Sequence, residues 1–212
     1  MKLPFNPKTD LMQAFPTPMG LFKLPNHETL CPKIADVVLE REKREPGLEV
    51  SNLGGWHSDG KMLGWPELQF ADLADTFRSA TSHMIAATCG VPRFETKLQL
   101  AAWANVNRAG SSNASHIHPE FHWSGVLYVQ TPDLSKDPVR KAGNIEFQDP
   151  RGPVSMLKTP GQTNLMSIPV EQGMILVFPS WLFHWVNAFS LDAIRISIAF
   201  NARIEQFREV KV

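Results

Sequence analysis

Cysteine is scarce. Cys31 and Cys89 are the only two in 212 residues, too few for a disulfide framework and too far apart for a CxxC motif. Two small residues in a reduced, cytoplasmic protein is the simpler expectation. Excess charge of either sign is also missing. The 21 basic side chains balance 21 acidic ones, which disfavours a polyanion-binding surface and nucleic acid as a partner. No run approaches about 18 uninterrupted apolar residues, so no membrane span is expected. The opening MKLPFNPKTD lacks the apolar stretch of a signal peptide. Internal repeats and low-complexity stretches are absent.

What is present fits one domain over residues 1–212, with an N-terminal arm and supporting helices (1–95) before a β core (96–205). At this length a chain buries roughly 70% of its unfolded surface, so no covalent staples are required. Residues 1–20 hold four prolines and read as an irregular lead-in, followed by a short strand at Leu21 to Leu24. Thr29 is placed to cap a helix, with Pro32 and Lys33 in its first turn, running to about Glu45. Residues 51–65 hold four glycines together with Trp56 and Trp65. Such a loop is pinned to the core by its tryptophans, or it borders a pocket through Trp56 and His57. A second helix opens at Pro66 and repeats Phe70, Leu73, Phe77, Ala80, Met84 and Ala87 on one stripe, with Gly90 and Pro92 closing it. His83 lies at its edge, without a chemical role.

From residue 96 the pattern turns to β. Candidate strands are 97–107, 115–118, 124–130, 143–148, 163–169, 173–178, 183–187 and 193–203, separated by Gly, Pro and Asp turns. About eight short strands predict a sandwich or barrel rather than a parallel α/β sheet. Three of seven histidines, His116, His118 and His122, crowd into GSSNASHIHPEFHW. His116 and His118 are two apart, so on a strand both rings leave one face. His184 stands far downstream in FPSWLFHWVN. Imidazole suits iron, zinc, copper or nickel, and three protein ligands with open positions mark a reactive site. Glu120 shares the alternation of the histidine pair and is a further candidate; His122 is placed to be a ligand, a substrate contact or a rim residue. Arg195 and Ser197 share one strand face. A buried arginine needs an anion, either a recruited carboxylate or Asp149 or Glu146 on a neighbouring strand.

The pattern HxHP…SGVLYV…GNIEFQDPR…GMILVFPSWLFHWV…RISIAFN resembles a bacterial and phage-type branch of the 2-oxoglutarate/Fe(II) oxygenases, over roughly residues 97–203. The resemblance implies a double-stranded β-helix, the jelly-roll fold. It puts His116 and His184 at the first and last iron-ligand positions and Arg195 with Ser197 at the far carboxylate of 2-oxoglutarate. Tyr128, the chain's only tyrosine, matches one that assists that carboxylate. The departure is at 118, a histidine where a carboxylate normally stands. Iron is then held by His116, His118 and His184, or takes Glu120, or leaves His118 as a neighbour; the first is the expectation adopted. Asn105 and Asn107 point one way on the preceding strand toward cosubstrate or substrate, and Trp123, Trp181 and Trp185 are candidate pocket walls. The implied activity is a dioxygenase that decarboxylates 2-oxoglutarate to succinate and oxidises an unidentified substrate. Two alternatives stand beside it. One is a cupin-like metalloprotein with no use for Arg195. The other is a jelly-roll binding module without metal.

Overall fold

A computed structural model describes residues 3–12, 14–152, 156, 160 and 163–210, apart from the side chain of Phe70. It contains eleven strands, two α-helices and two short 3-10 helices among the described residues. In chain order they are β1 (Gly20–Lys23), α1 (His27–Arg44), β2 (Asn52–Leu53), β3 (Trp56–His57) and α2 (Leu73–Thr88). Then follow β4 (Phe94–Asn107), β5 (Ser112–His116), β6 (Trp123–Gln130), β7 (Ile145–Gln148), β8 (Leu165–Ile168), β9 (Met174–Pro179), β10 (His184–Val186) and β11 (Arg195–Glu209).

Strands β4 to β11 correspond to the eight expected from the alternating pattern. They distribute between two antiparallel sheets, one ordered β1-β9-β6-β11-β4-β3 and the other β2-β5-β10-β7-β8. The chain changes sheet at every connection from β4 to β11 except β7–β8, which makes the arrangement a double-stranded β-helix. The strands β2 and β3 come from the glycine-rich loop and add to opposite sheets. β11 runs on to Glu209, beyond the expected boundary at residue 205, because its far half pairs with the first residues of β4, Arg208 opposite Glu95.

Each long strand of the six-stranded sheet has two different faces. On β11, Ile196, Ile198, Phe200 and Ala202 are buried in a cluster with Ile34 and Val38 of α1 and Phe77, Met84 and Ile85 of α2. Phe77 stacks on Phe200 with ring centroids 4.1 Å apart. That approach requires Gly125, since a Cβ there would run into the Phe200 ring and the Leu176 carbonyl oxygen. The other face turns toward the five-stranded sheet. Tyr128, Leu176 and Phe178 meet Ile145 and Phe147 there in a second apolar cluster.

Two helix boundaries differ from expectation. Thr29 is not the cap of α1: its N–H donates to the Asn26 carbonyl at 3.0 Å, so it lies inside the first turn. Asn26 holds the cap position in the left-handed region, which asparagine tolerates. The stretch from Pro66 is not one helix. A 3-10 helix (Pro66–Ala71) ends at Asp72, whose φ of 43° breaks the path before α2 begins. Ala87 is consequently exposed, and Thr81 and Ile85 take the buried positions. The Phe70 side chain, expected on that stripe, lies outside the described residues. Trp56 and Trp65 do pin their loop, both being buried in the helix-side core.

Candidate metal centre

His116 and His184 are register partners across β5 and β10. His118 lies two residues past the end of β5, and its N–H donates to the Ser180 carbonyl at 3.0 Å, which fixes it beside the turn between β9 and β10. Ser180 also donates its hydroxyl to the Phe121 carbonyl and its N–H to the His122 carbonyl. One serine therefore clamps the whole 118–122 turn. One ring nitrogen from each of His116, His118 and His184 lies within 4.8 Å of the other two.

The three rings are not equivalent. His116 Nδ1 is 2.7 Å from the Ala114 carbonyl and His184 Nδ1 is 2.9 Å from the Leu182 carbonyl. A carbonyl only accepts, so each Nδ1 carries a proton and each Nε2 keeps its lone pair for a cation. The His118 ring makes no such bond among the described residues; it tilts against Trp103 at 5.6 Å. Burial pushes the His118 imidazole down to about 4 and the His184 imidazole down to about 3, with His116 adding repulsion to both. His116 is lowered by burial as well. Three neutral nitrogen donors, two of them preset by carbonyls, fit a first-row divalent ion such as iron.

The wall beside the cluster comes from the six-stranded sheet. Register aligns His57, Asn105, Ser197 and Tyr128 in one row across β3, β4, β11 and β6. Arg195 and Asn107 form the next row. Arg195 is 2% exposed. Its Nη1 donates to Ser197 Oγ at 3.4 Å, and its guanidinium lies over the Tyr128 ring at 5.2 Å. No carboxylate pairs with it among the described residues. Glu146 is taken by Lys141 at 3.1 Å, and Asp149 by Arg151 at 2.6 Å, so neither supplies the intramolecular partner considered above. Arg195 Nε, Tyr128 Oη, Asn105 Oδ1 and Asn107 Oδ1 are all buried without a hydrogen-bond partner. Burial holds the Arg195 guanidinium below its ordinary range and pushes the Tyr128 phenol up to about 12. A buried cation ringed by orphaned polar atoms is costly unless an anion joins it.

Other expected residues lie elsewhere. Glu120 is exposed with a φ of 72° and is not in the histidine cluster, because the turn after Pro119 carries it outward. His122 is exposed; its Nδ1 accepts the Ile204 N–H at 3.1 Å. Trp123 packs in the helix-side core, on the opposite sheet face from Ser124, which lines the cavity. Trp181 is 49% exposed, and the Trp185 indole N–H donates to Asn187. Neither lines the cavity. The tryptophan that does is Trp103, which the sequence reading passed over although it alternates with Asn105 and Asn107. Its ring stacks on His57 at 5.5 Å. His57 is held neutral chiefly by burial, which lowers its pKa. It both belongs to the pinned loop and borders the cavity mouth.

Residues 101–201 match the family described as "Putative 2OG-Fe(II) oxygenase". No curated protein matches the sequence. Among solved structures, the fold is similar to that of a prolyl-4-hydroxylase from Pseudomonas putida. That pair shares 15% identity, covering 89% of this chain and 93% of that one, with a TM-score of 0.57. HygX from Streptomyces hygroscopicus, solved with nickel and 2-oxoglutarate bound, shares 11% identity over 88% and 82% with a TM-score of 0.55. A prolyl hydroxylase from Trichoplax adhaerens, in complex with a hypoxia inducible factor peptide fragment, shares 12% over 88% and 84% with a TM-score of 0.58. At these identities the likeness is one of fold.

Proposed function

We propose that this chain is a 2-oxoglutarate/Fe(II) oxygenase, the family its residues 101–201 match, in which His116, His118 and His184 hold the iron and Arg195 grips the far carboxylate of 2-oxoglutarate. Bound Fe(II) and 2-oxoglutarate supply the oxidising chemistry: O2 is consumed, 2-oxoglutarate gives succinate and CO2, and one oxygen atom enters the substrate. The chain's residues bind and orient. Arg195 Nε and Nη groups donate charge-assisted hydrogen bonds, and the Ser197 hydroxyl adds another. Tyr128, a neutral phenol whose pKa burial raises further, donates its O–H. Asn105 and Asn107 present amides to the same space, and the apolar cluster around Leu176 and Phe178 keeps water from the reacting centre. With three neutral imidazoles in place of the usual carboxylate-bearing set, the protein offsets none of the metal's charge, and the cosubstrate dianion does so instead.

One observation carries this reading: a buried arginine with no acid partner, on the wall next to three convergent histidines. A cupin-like metal site has no need of that arginine, and a binding module has no need of either. We also read residues 96–205 with their helical support as one working unit. No helix among the described residues is long and apolar enough to cross a membrane, and the two free thiols favour a reducing, cytoplasmic setting. The direct test is anaerobic titration of metal-free protein with Fe(II) and then 2-oxoglutarate. A visible charge-transfer band from the chelated keto acid is expected, lost in H184A and R195A. Iron binding without the band supports the cupin-like alternative; no metal binding supports the module.

A further inference from the structure

A second opening borders the histidine cluster, sharing His116 and His118 with it. It is bounded on one side by β5 and its continuation, from Ala114 to His118, and on the other by Trp103 and His57. We propose that this groove seats the primary substrate, and that it selects an uncharged molecule packed against the Trp103–His57 pair that donates a hydrogen bond to His57 Nε2. The assignment rests on the proposed function, since it takes the cluster as the reactive centre.

Three observations lead to it. First, the lining residues include no Asp, Glu, Lys or Arg. An ionic group would leave water here with no charged side chain of the groove to pair with, whereas an uncharged group is desolvated at lower cost. The charged recognition sits instead at Arg195, separated from His57 by Asn105 and Ser197 along the sheet. Second, His57 Nδ1 is 2.6 Å from the Ser58 carbonyl, which requires the proton on Nδ1 and leaves Nε2 as an acceptor. That nitrogen has no partner among the described residues, on a residue only 7% exposed that lines this groove. Third, the stacked His57 and Trp103 rings, 18° from parallel, form a rigid aromatic wall that continues to His118. A molecule against that wall lies next to the metal ligands. His57 acts here by positioning substrate.

The test uses ligand-observed NMR on full-length protein saturated with Zn(II) and 2-oxoglutarate, which occupy the inner pocket. Three matched probes differ only in charge: benzyl alcohol, benzoate and benzylammonium. Benzyl alcohol is expected to bind at least tenfold more tightly than either ion. His57→Phe keeps the stack and removes the acceptor, and is expected to weaken benzyl alcohol at least fivefold. His57→Gln, which returns an acceptor, restores part of that loss. Charge-indifferent binding, no binding, or affinity unchanged in His57→Phe overturns the assignment. The wild-type charge selectivity tests it even if the variants fold poorly. Absence of the wild-type Fe(II)/2-oxoglutarate band overturns the proposed function itself; a normal band with failed probes removes only this groove.

Discussion

The two faces of the six-stranded sheet make different use of the same strands. On the face toward α1 and α2, β11 contributes Ile196, Ile198, Phe200 and Ala202, all buried in apolar contact. On the face toward the second sheet, the intervening positions place Arg195, Ser197 and Asn201 in buried polar surroundings. Asn201 is satisfied by the Ser124 hydroxyl at 2.7 Å, but the groups around Arg195 are left with orphaned atoms. One face is built to be stable without a ligand, and the other is built to be completed by one. Period-two alternation lets a single strand serve both ends.

That contrast can be broken from either side. Removing His184 or His116 destroys the ligand face outright. Each single Ala variant is expected to lose Fe(II) on desalting and to show no keto-acid band, while remaining folded by circular dichroism. Phe77→Ala attacks the other face. Deleting a buried aromatic costs about 3–5 kcal/mol, on the order of a 10 °C fall in Tm for a chain of this size. Its 2-oxoglutarate affinity at 25 °C should stay within about twofold of wild type, measured by the same anaerobic titration. Arg195→Met should produce opposite signs in one protein. Its 2-oxoglutarate affinity is expected to fall on the order of 100-fold, through loss of a desolvated charge pair. The Tm of its ligand-free form is expected to rise by a few degrees, because an unpaired buried charge is gone. A fall in that Tm would show that Arg195 is part of the stable scaffold after all.

Acidity supplies a finer probe. His118 and His184 titrate near 4 and 3 in the fold and near 6.5 when unfolded, so the unfolded chain binds more protons below pH 6.5. Stability of the metal-free protein therefore falls as pH drops through that window, and it is flat above it. At pH 5 the loss is about 2 kcal/mol for each of the two rings. Urea unfolding with chelator at pH 7 and pH 5 measures it, and the difference should shrink by about 2 kcal/mol in His118→Ala.

The readability of the sequence followed the same physical divide. The eight strands β4 to β11 were legible because alternation and turn residues are local signals. The HxH pair was legible from its spacing, although His118 falls two residues past the end of β5 and is held by its bond to Ser180. β2 and β3 were not, since two-residue strands carry no periodicity and exist only by pairing with β5 and β4. The break at Asp72 was hidden by an apolar stripe that runs through it. Trp103 was missed, and His57 left undecided, because their meeting depends on the β3–β4 register, which brings together residues far apart in the chain. Glu120 illustrates the reverse error: it keeps the alternation in sequence and loses it in space once Pro119 turns the chain.

The position of β11 carries a consequence for how the protein is made. It is the last of the described strands, yet it lies between β4 and β6 in the middle of its sheet. While the chain emerges from the ribosome, β4 and β6 have no common neighbour, and the slot between them stays empty until synthesis passes Arg195. His116 and His118 are by then already translated, but the arginine that completes the pocket enters with the strand that closes the sheet. A half-made chain therefore has a pair of histidines without the buried arginine beside them. The pocket wall arrives together with the finished fold.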